Sequence, residues 1–176
     1  SSEIIAILWN QGENDSREDL YLSYQEQLKT TFTHLRKELN LPHVPIIMGL
    51  LADTLNTFAI GLHCPQYKEI NHEMTELTKF IPNTYVVSSE ELTMNPDGIH
   101  LDAHSLRRWG LRYYESFKKE ASVLNKLDNE EAILQAIYDR PLSVNEQIYQ
   151  LQHDLNAEKI TFESYMEQLE ALSASQ

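Results

Sequence analysis

The segment Ile4-Ile5-Ala6-Ile7-Leu8-Trp9-Asn10-Gln11-Gly12-Glu13-Asn14-Asp15 joins a short apolar run to a polar loop. The run is continuous, rich in β-branched side chains, and lacks the alternation of a half-exposed strand. Such a run suits a strand covered on both faces, as in a parallel sheet. The next segments repeat the pattern. Leu20, Tyr24, Leu28, Phe32, Leu35 and Leu39 recur at helical spacing, which predicts an amphipathic helix over 17–39. Ser16 with Asp19 reads as its N-cap, and Pro42 and Pro45 bound its end. Residues 44–51 form a second apolar strand and 53–61 a loop. Residues 64–80 form a helix carrying Tyr67, Ile70, Met74, Leu77 and Phe80 on one side. Pro82-Asn83 turns the chain into a third strand, 84–88. A loop then leads to a helix over 103–120 with Leu106, Trp109, Tyr113 and Phe117. Strand–helix alternation predicts right-handed crossovers and a layered parallel α/β sheet.

From about 122 the pattern changes to three short helices with no strand. Asp128 with Glu131, and Ser143 with Glu146, read as capping boxes. Val144, Ile148, Leu151 and Leu155 form one apolar stripe, and Phe162, Tyr165, Met166, Leu169 and Leu172 another. The division expected is therefore 1–121 for the α/β part and 122–176 for a helical extension built as a hairpin. The two stripes suit packing within the hairpin, on the α/β part or on another chain. Self-association or a protein partner through 128–172 is the corresponding expectation. The hairpin also faintly resembles short C-terminal helical oligomerisation modules with a Lys-Ile-Thr turn.

The chain has 176 residues, 41% of them hydrophobic, and a formal charge of −13. That charge argues against nucleic acid and anionic membrane surfaces as partners, because both select basic patches. No apolar run approaches membrane-spanning length. Cys64 is the single cysteine, so no internal disulfide forms. The chain opens on Ser1-Ser2-Glu3 without a Met, which leads us to expect that the natural N-terminus lies further upstream.

The chemistry is concentrated in two loops. In Asn95-Pro96-Asp97-Gly98-Ile99-His100-Leu101-Asp102, Pro96 and Gly98 favour a turn. An Asp in such a turn accepts the Nδ1–H of the following His. That bond fixes the tautomer and leaves Nε2 free to take a proton from a nucleophile. The other loop is Trp9–Asp15. Both loops follow the carboxyl end of a strand, where open α/β sheets build their sites.

Together, Trp9-x-Gln11-Gly12-Glu13-x-Asp15 and Asp97-x-x-His100 resemble the SGNH hydrolase superfamily. Within it they are most similar to sialate O-acetylesterase and acetylxylan-esterase-like carbohydrate esterases. The resemblance covers roughly residues 4–117. It implies a three-layer, flavodoxin-like parallel sheet, here partial, and a serine esterase acting on an acylated small molecule or carbohydrate without a metal or organic cofactor. It makes His100 the general base, Asp97 the carboxylate that orients it, and Gln11 an oxyanion donor. It implies that Gly12 lets the backbone approach the substrate and that Glu13 is buried and orders the loop. It also implies a nucleophilic Ser after a Gly-Asp or Gly-Gln pair. The glycines are at 12, 49, 61, 98 and 110, and none precedes a Ser in that way. The expectation is that the nucleophile lies in a missing N-terminal part of the domain, with its strands beside Ile4–Leu8. The chain alone is then inactive.

Other groups offer competing chemistry. Cys64, between His63 and Pro65, reads as a buried thiol rather than a nucleophile. Ser16, Ser88 and Ser89 lack a nucleophile elbow. His100 and His104 with Asp102 have metal-ligand spacing only if the helix begins before His100; otherwise Asp102 is a helix cap. His34, His43, His72 and His153 are scattered and read as surface residues. Arg107-Arg108 suits either an acidic sugar or plain helix solvation. The alternative to an enzyme is a non-catalytic binding or assembly module with a helical interaction tail.

Overall fold

The computed structural model describes residues 3–174. Four strands form one sheet in the order β1 (Ile7–Trp9), β2 (Ile46–Gly49), β3 (Thr84–Val87) and β4 (Val123–Leu124). Every pairing is parallel. The helices between them are α1 (Tyr24–Glu38), α2 (Tyr67–Leu77) and α3 (Ala103–Lys119). They are followed by α4 (Glu130–Asp139), α5 (Val144–Asn156) and α6 (Phe162–Ala174). The chain divides into two compact units, one up to Leu134 and one from Gln135.

The sheet alternation builds the layers. Ile46 and Met48 of β2 and Val86 of β3 face α1 and α2, where they join Leu28, Phe32, Ile70, Met74 and Leu77. Ile47, Tyr85 and Val87 face the other way, against Trp109 and Tyr113 of α3 and Leu124 of β4. Every residue of β2 and β3 is buried, as continuous apolar runs require. The three-layer α/β sheet and the helical extension read from the sequence are therefore present.

Three details differ from expectation. Residues 14–16 and 20–23 form separate 3₁₀ turns, and α1 starts only at Tyr24. Ser16 is not its cap. Ser16 is fully buried, its Oγ donates to the Glu13 carbonyl at 2.6 Å, and its own carbonyl accepts from Gln66 N–H. Burial beneath the β1 loop takes it out of the helix start. A fourth strand follows residue 122, where none was expected. It is two residues long, too short to show a pattern, and it forms because Val86 N–H and Ser88 N–H donate to the Ser122 and Leu124 carbonyls. Glu131 does not close a box with Asp128; its carboxylate reaches His104 Nε2 at 2.9 Å, and Glu130 accepts Leu127 N–H instead.

β1 is an edge strand, and its exposure differs from that of its neighbours. Leu8 is aligned with buried Ile47, yet it is 61% exposed, as is Ile5. A shallow groove of about 360 Å³ runs along this edge between Ile5, Ala6 and Leu8 and the Gly110–Phe117 face of α3.

In the second unit α5 begins at the predicted capping box. Glu146 Oε2 accepts Ser143 N–H at 2.9 Å, and Ser143 Oγ accepts Glu146 N–H. α5 packs on α6. Tyr149 and Phe162 remain largely exposed.

Candidate active site

The loop between β3 and α3 is held at its base and turned tightly at its tip. Met94 and Leu101 form an antiparallel bridge, with Asn95 N–H donating to the His100 carbonyl at 2.8 Å. Gly98 N–H closes a turn onto the Asn95 carbonyl at 3.0 Å, with Pro96 in the position where its fixed φ helps. Asp97 sits at the tip. Its Oδ1 accepts two backbone N–H groups, from Ile99 and His100, each at 3.0 Å. Its Oδ2 lies 2.8 Å from His100 Nδ1.

These bonds set the electrostatics. The N–H groups of His100 and Ile99, then the His100 ring, hold the Asp97 carboxyl down to about 2. The ionised carboxylate can only accept, so Nδ1 of His100 carries the proton. Nε2 then presents a lone pair, and among the described residues it bonds to no protein group. The His100 side chain is 77% exposed. It borders a cavity of about 120 Å³ that also involves Asn10, Glu13, Leu51, Leu106 and Trp109.

The first loop contributes less directly than the sequence suggests. Glu13 reaches the His100 cavity but is only half-buried, and its carbonyl is tied to Ser16. Gln11 does not reach that cavity. Its Nε2 donates to Asp15 Oδ2, its carbonyl accepts the Tyr24 hydroxyl at 2.9 Å, and its side chain lines a separate polar cavity beside α1. Burial pushes the Tyr24 phenol up, so it stays a donor. Asn10, and not Gln11, is among the residues that line the His100 cavity. Gly12 serves packing: at φ +141° a Cβ would come within 2.6 Å of Ile70 Cγ2 on α2. It lets the loop approach that helix closely.

The remaining candidates have other roles. Asp102 caps α3, accepting Ser105 N–H at 2.8 Å, and His104 pairs with Glu131, so the two do not converge with His100 on one point. Among the described residues no group of three or more His, Cys, Asp or Glu side chains is placed to hold a metal. Cys64 is fully buried, and burial pushes its thiol up, away from thiolate chemistry. Arg108 is committed to Glu130 at 2.8 Å and to the Glu91 carbonyl. Leu106 and Trp109 were legible only as helix-face residues, and Asn10 only as an unspecified motif position. Nothing in their spacing marks them as lining a cavity.

A family model described as carbohydrate esterase, sialic acid-specific acetylesterase matches residues 1–119. The chain belongs to this family. Among solved structures it is similar to a protein from Arabidopsis thaliana studied by X-ray crystallography, with 25% identity and a TM-score of 0.57. That match covers 66% of this chain and 44% of the plant protein, so the chain spans less than half of that relative. No curated protein matches.

Proposed function

We propose that residues 4–117 are part of a serine esterase of the SGNH type, which removes acetyl or similar acyl groups from a carbohydrate or related ester. The observation that carries this reading is the 2.8 Å Asp97–His100 contact with Nε2 free at a cavity rim. His100 takes the proton of a serine hydroxyl as that oxygen attacks the ester carbonyl. It returns the proton to the leaving alkoxide, and a water then repeats the cycle to release the acid. Asp97 holds the imidazole and balances its charge while it is protonated. Neither step calls for a metal or organic cofactor.

The serine, in this proposal, belongs to a segment outside the 176 residues and docks along β1. The bare apolar edge, the groove beside it and the partial coverage of the plant relative support that placement. Gln11 as oriented does not serve the oxyanion, because its amide is committed to Asp15. Asn10, at the same cavity as His100, is the amide we assign to that task, together with backbone N–H groups of the docked segment. The exposed Tyr149 and Phe162 support a further role for the tail in self-association.

An assay of the isolated chain on p-nitrophenyl acetate tests the proposal. No turnover is expected. Turnover abolished by Ser16→Ala or Cys64→Ala would overturn the assignment of the nucleophile.

A further inference from the structure

The sequence marks residues 53–61 only as a loop, yet this loop is pressed against the tip that carries Asp97. Its ends are anchored. Leu55 is buried in the core and Cys64 is fully buried. The Tyr67 hydroxyl donates to the Asp53 carbonyl, Arg17 Nε donates to the His63 carbonyl at 3.1 Å, and Asn56 N–H closes onto the Gly61 carbonyl at 3.0 Å. Between these anchors a short 3₁₀ turn, Ala59–His63, lies backbone to backbone with the loop tip.

Two contacts define the junction. Ile60 N–H donates to the Asp97 carbonyl at 2.9 Å. A Cβ on Gly61 would lie 2.0 Å from the Gly98 carbonyl oxygen. The approach is equally close from the other side: at φ +74°, a Cβ on Gly98 would lie 2.4 Å from the Phe58 carbonyl oxygen. Peptide planarity couples these contacts to the carboxylate. The Asp97 carbonyl belongs to the 97–98 peptide plane. The Gly98 carbonyl belongs to the 98–99 plane, whose other end is the Ile99 N–H that donates to Asp97 Oδ1. A planar peptide moves as one body. Whatever displaces the Gly98 oxygen therefore displaces a donor that fixes the carboxylate.

We infer that Ile60 and Gly61 are positioning residues, gripping two successive peptide planes so that Asp97 is held in register with the His100 imidazole. The inference rests on the reading of His100 as the base. Ile60 fixes the 97–98 plane by a hydrogen bond. Gly61 fixes the 98–99 plane by allowing it to sit where any side chain would expel it. Neither residue is among those that line the cavity. They act through the carboxylate alone.

The test is made on this chain by NMR. In the unmodified protein, ¹⁵N shifts of the neutral His100 ring should place its proton on Nδ1, and the Asp97 carboxyl carbon is expected to titrate near 2. In Gly61→Ala we expect the Nδ1–H preference to be lost and the Asp97 midpoint to rise toward 3.8. Unchanged tautomer and midpoint in a folded Gly61→Ala protein overturn the inference. Hydrogen exchange on the unmodified chain provides a second measurement that needs no variant. The Ile60 amide should open in step with those of Ile99 and His100, and solvent-rate exchange at Ile60 overturns the inference equally. These readouts report geometry. Full activity in a His100→Ala complete esterase would remove the esterase reading while leaving them intact.

Discussion

At the residue scale the informative contrast is between His100 and Gln11. Local turn chemistry was enough to pair Asp97 with His100, because both partners lie within one short loop and Pro96 and Gly98 restrict its shape. The orientation of Gln11 was not legible, because it depends on Tyr24, thirteen positions away, and on Asp15. In the proposed complete esterase, His100→Ala is expected to lower kcat/KM by roughly 10²–10⁴-fold, as for loss of a positioned base. Asn10→Ala should lower kcat by roughly 10²–10³-fold if its amide is an oxyanion donor. Gln11→Ala should cost stability rather than turnover, about 0.5–1.5 kcal/mol, read as a shift in the urea midpoint. The reverse ranking of Asn10 and Gln11 in steady-state kinetics would show that the Gln11 amide turns toward the cavity when the site is complete. The pH dependence of the loop has a definite sign. Asp97 titrates lower when folded, so its bonds favour the ordered loop fully above about pH 4. They are lost as the pH falls toward about 2. ¹H–¹⁵N spectra of the Ile99 and His100 amides across that range check this.

At the scale of elements, α3 links the site to the helix after it. Arg112 is fully buried and Glu130 nearly so. They form a two-pronged pair, with Nε and Nη2 at 2.5 and 2.9 Å from the carboxylate, and Arg108 adds a third bond at 2.8 Å. Burial by itself raises the Glu130 carboxyl, but Arg112, the Leu127 N–H and Arg108 outweigh it and hold the group below the usual carboxylate range. Arg112 also donates to the Ser88 carbonyl at the end of β3. The network ties the start of α4 to the rim that bears Asp97. Glu130→Ala leaves buried guanidinium charge without its counter-ion and is expected to cost about 3–5 kcal/mol in denaturant unfolding. Nothing in the sequence singles out Arg112 and Glu130, eighteen positions apart. Only the tertiary fold desolvates them together, and for the same reason β4 was invisible. The helices were easier. α2, α3 and α5 follow from apolar periodicity and caps, while the start of α1 moved because Ser16 was drawn into the core.

For the whole molecule, the sheet alternation accounts for both layers of core, and it also exposes what the 176 residues do not cover. Leu8 lies on a sheet whose other residues on that face are buried. The second unit shows exposed aromatics of its own. If its role is self-association, sedimentation velocity should show concentration-dependent assembly of the unmodified chain, and Tyr149→Ser with Phe162→Ser should return it to the monomer.

Among the described residues the outer margin of β1 is unpaired, so the proposed esterase lends itself to fragment complementation. Polypeptides carrying the serine segment and this chain, expressed apart and mixed, should regain turnover at a rate that rises with the concentration of either piece. Leu8→Lys should be tolerated by this chain alone, where position 8 faces water, yet abolish bimolecular reconstitution.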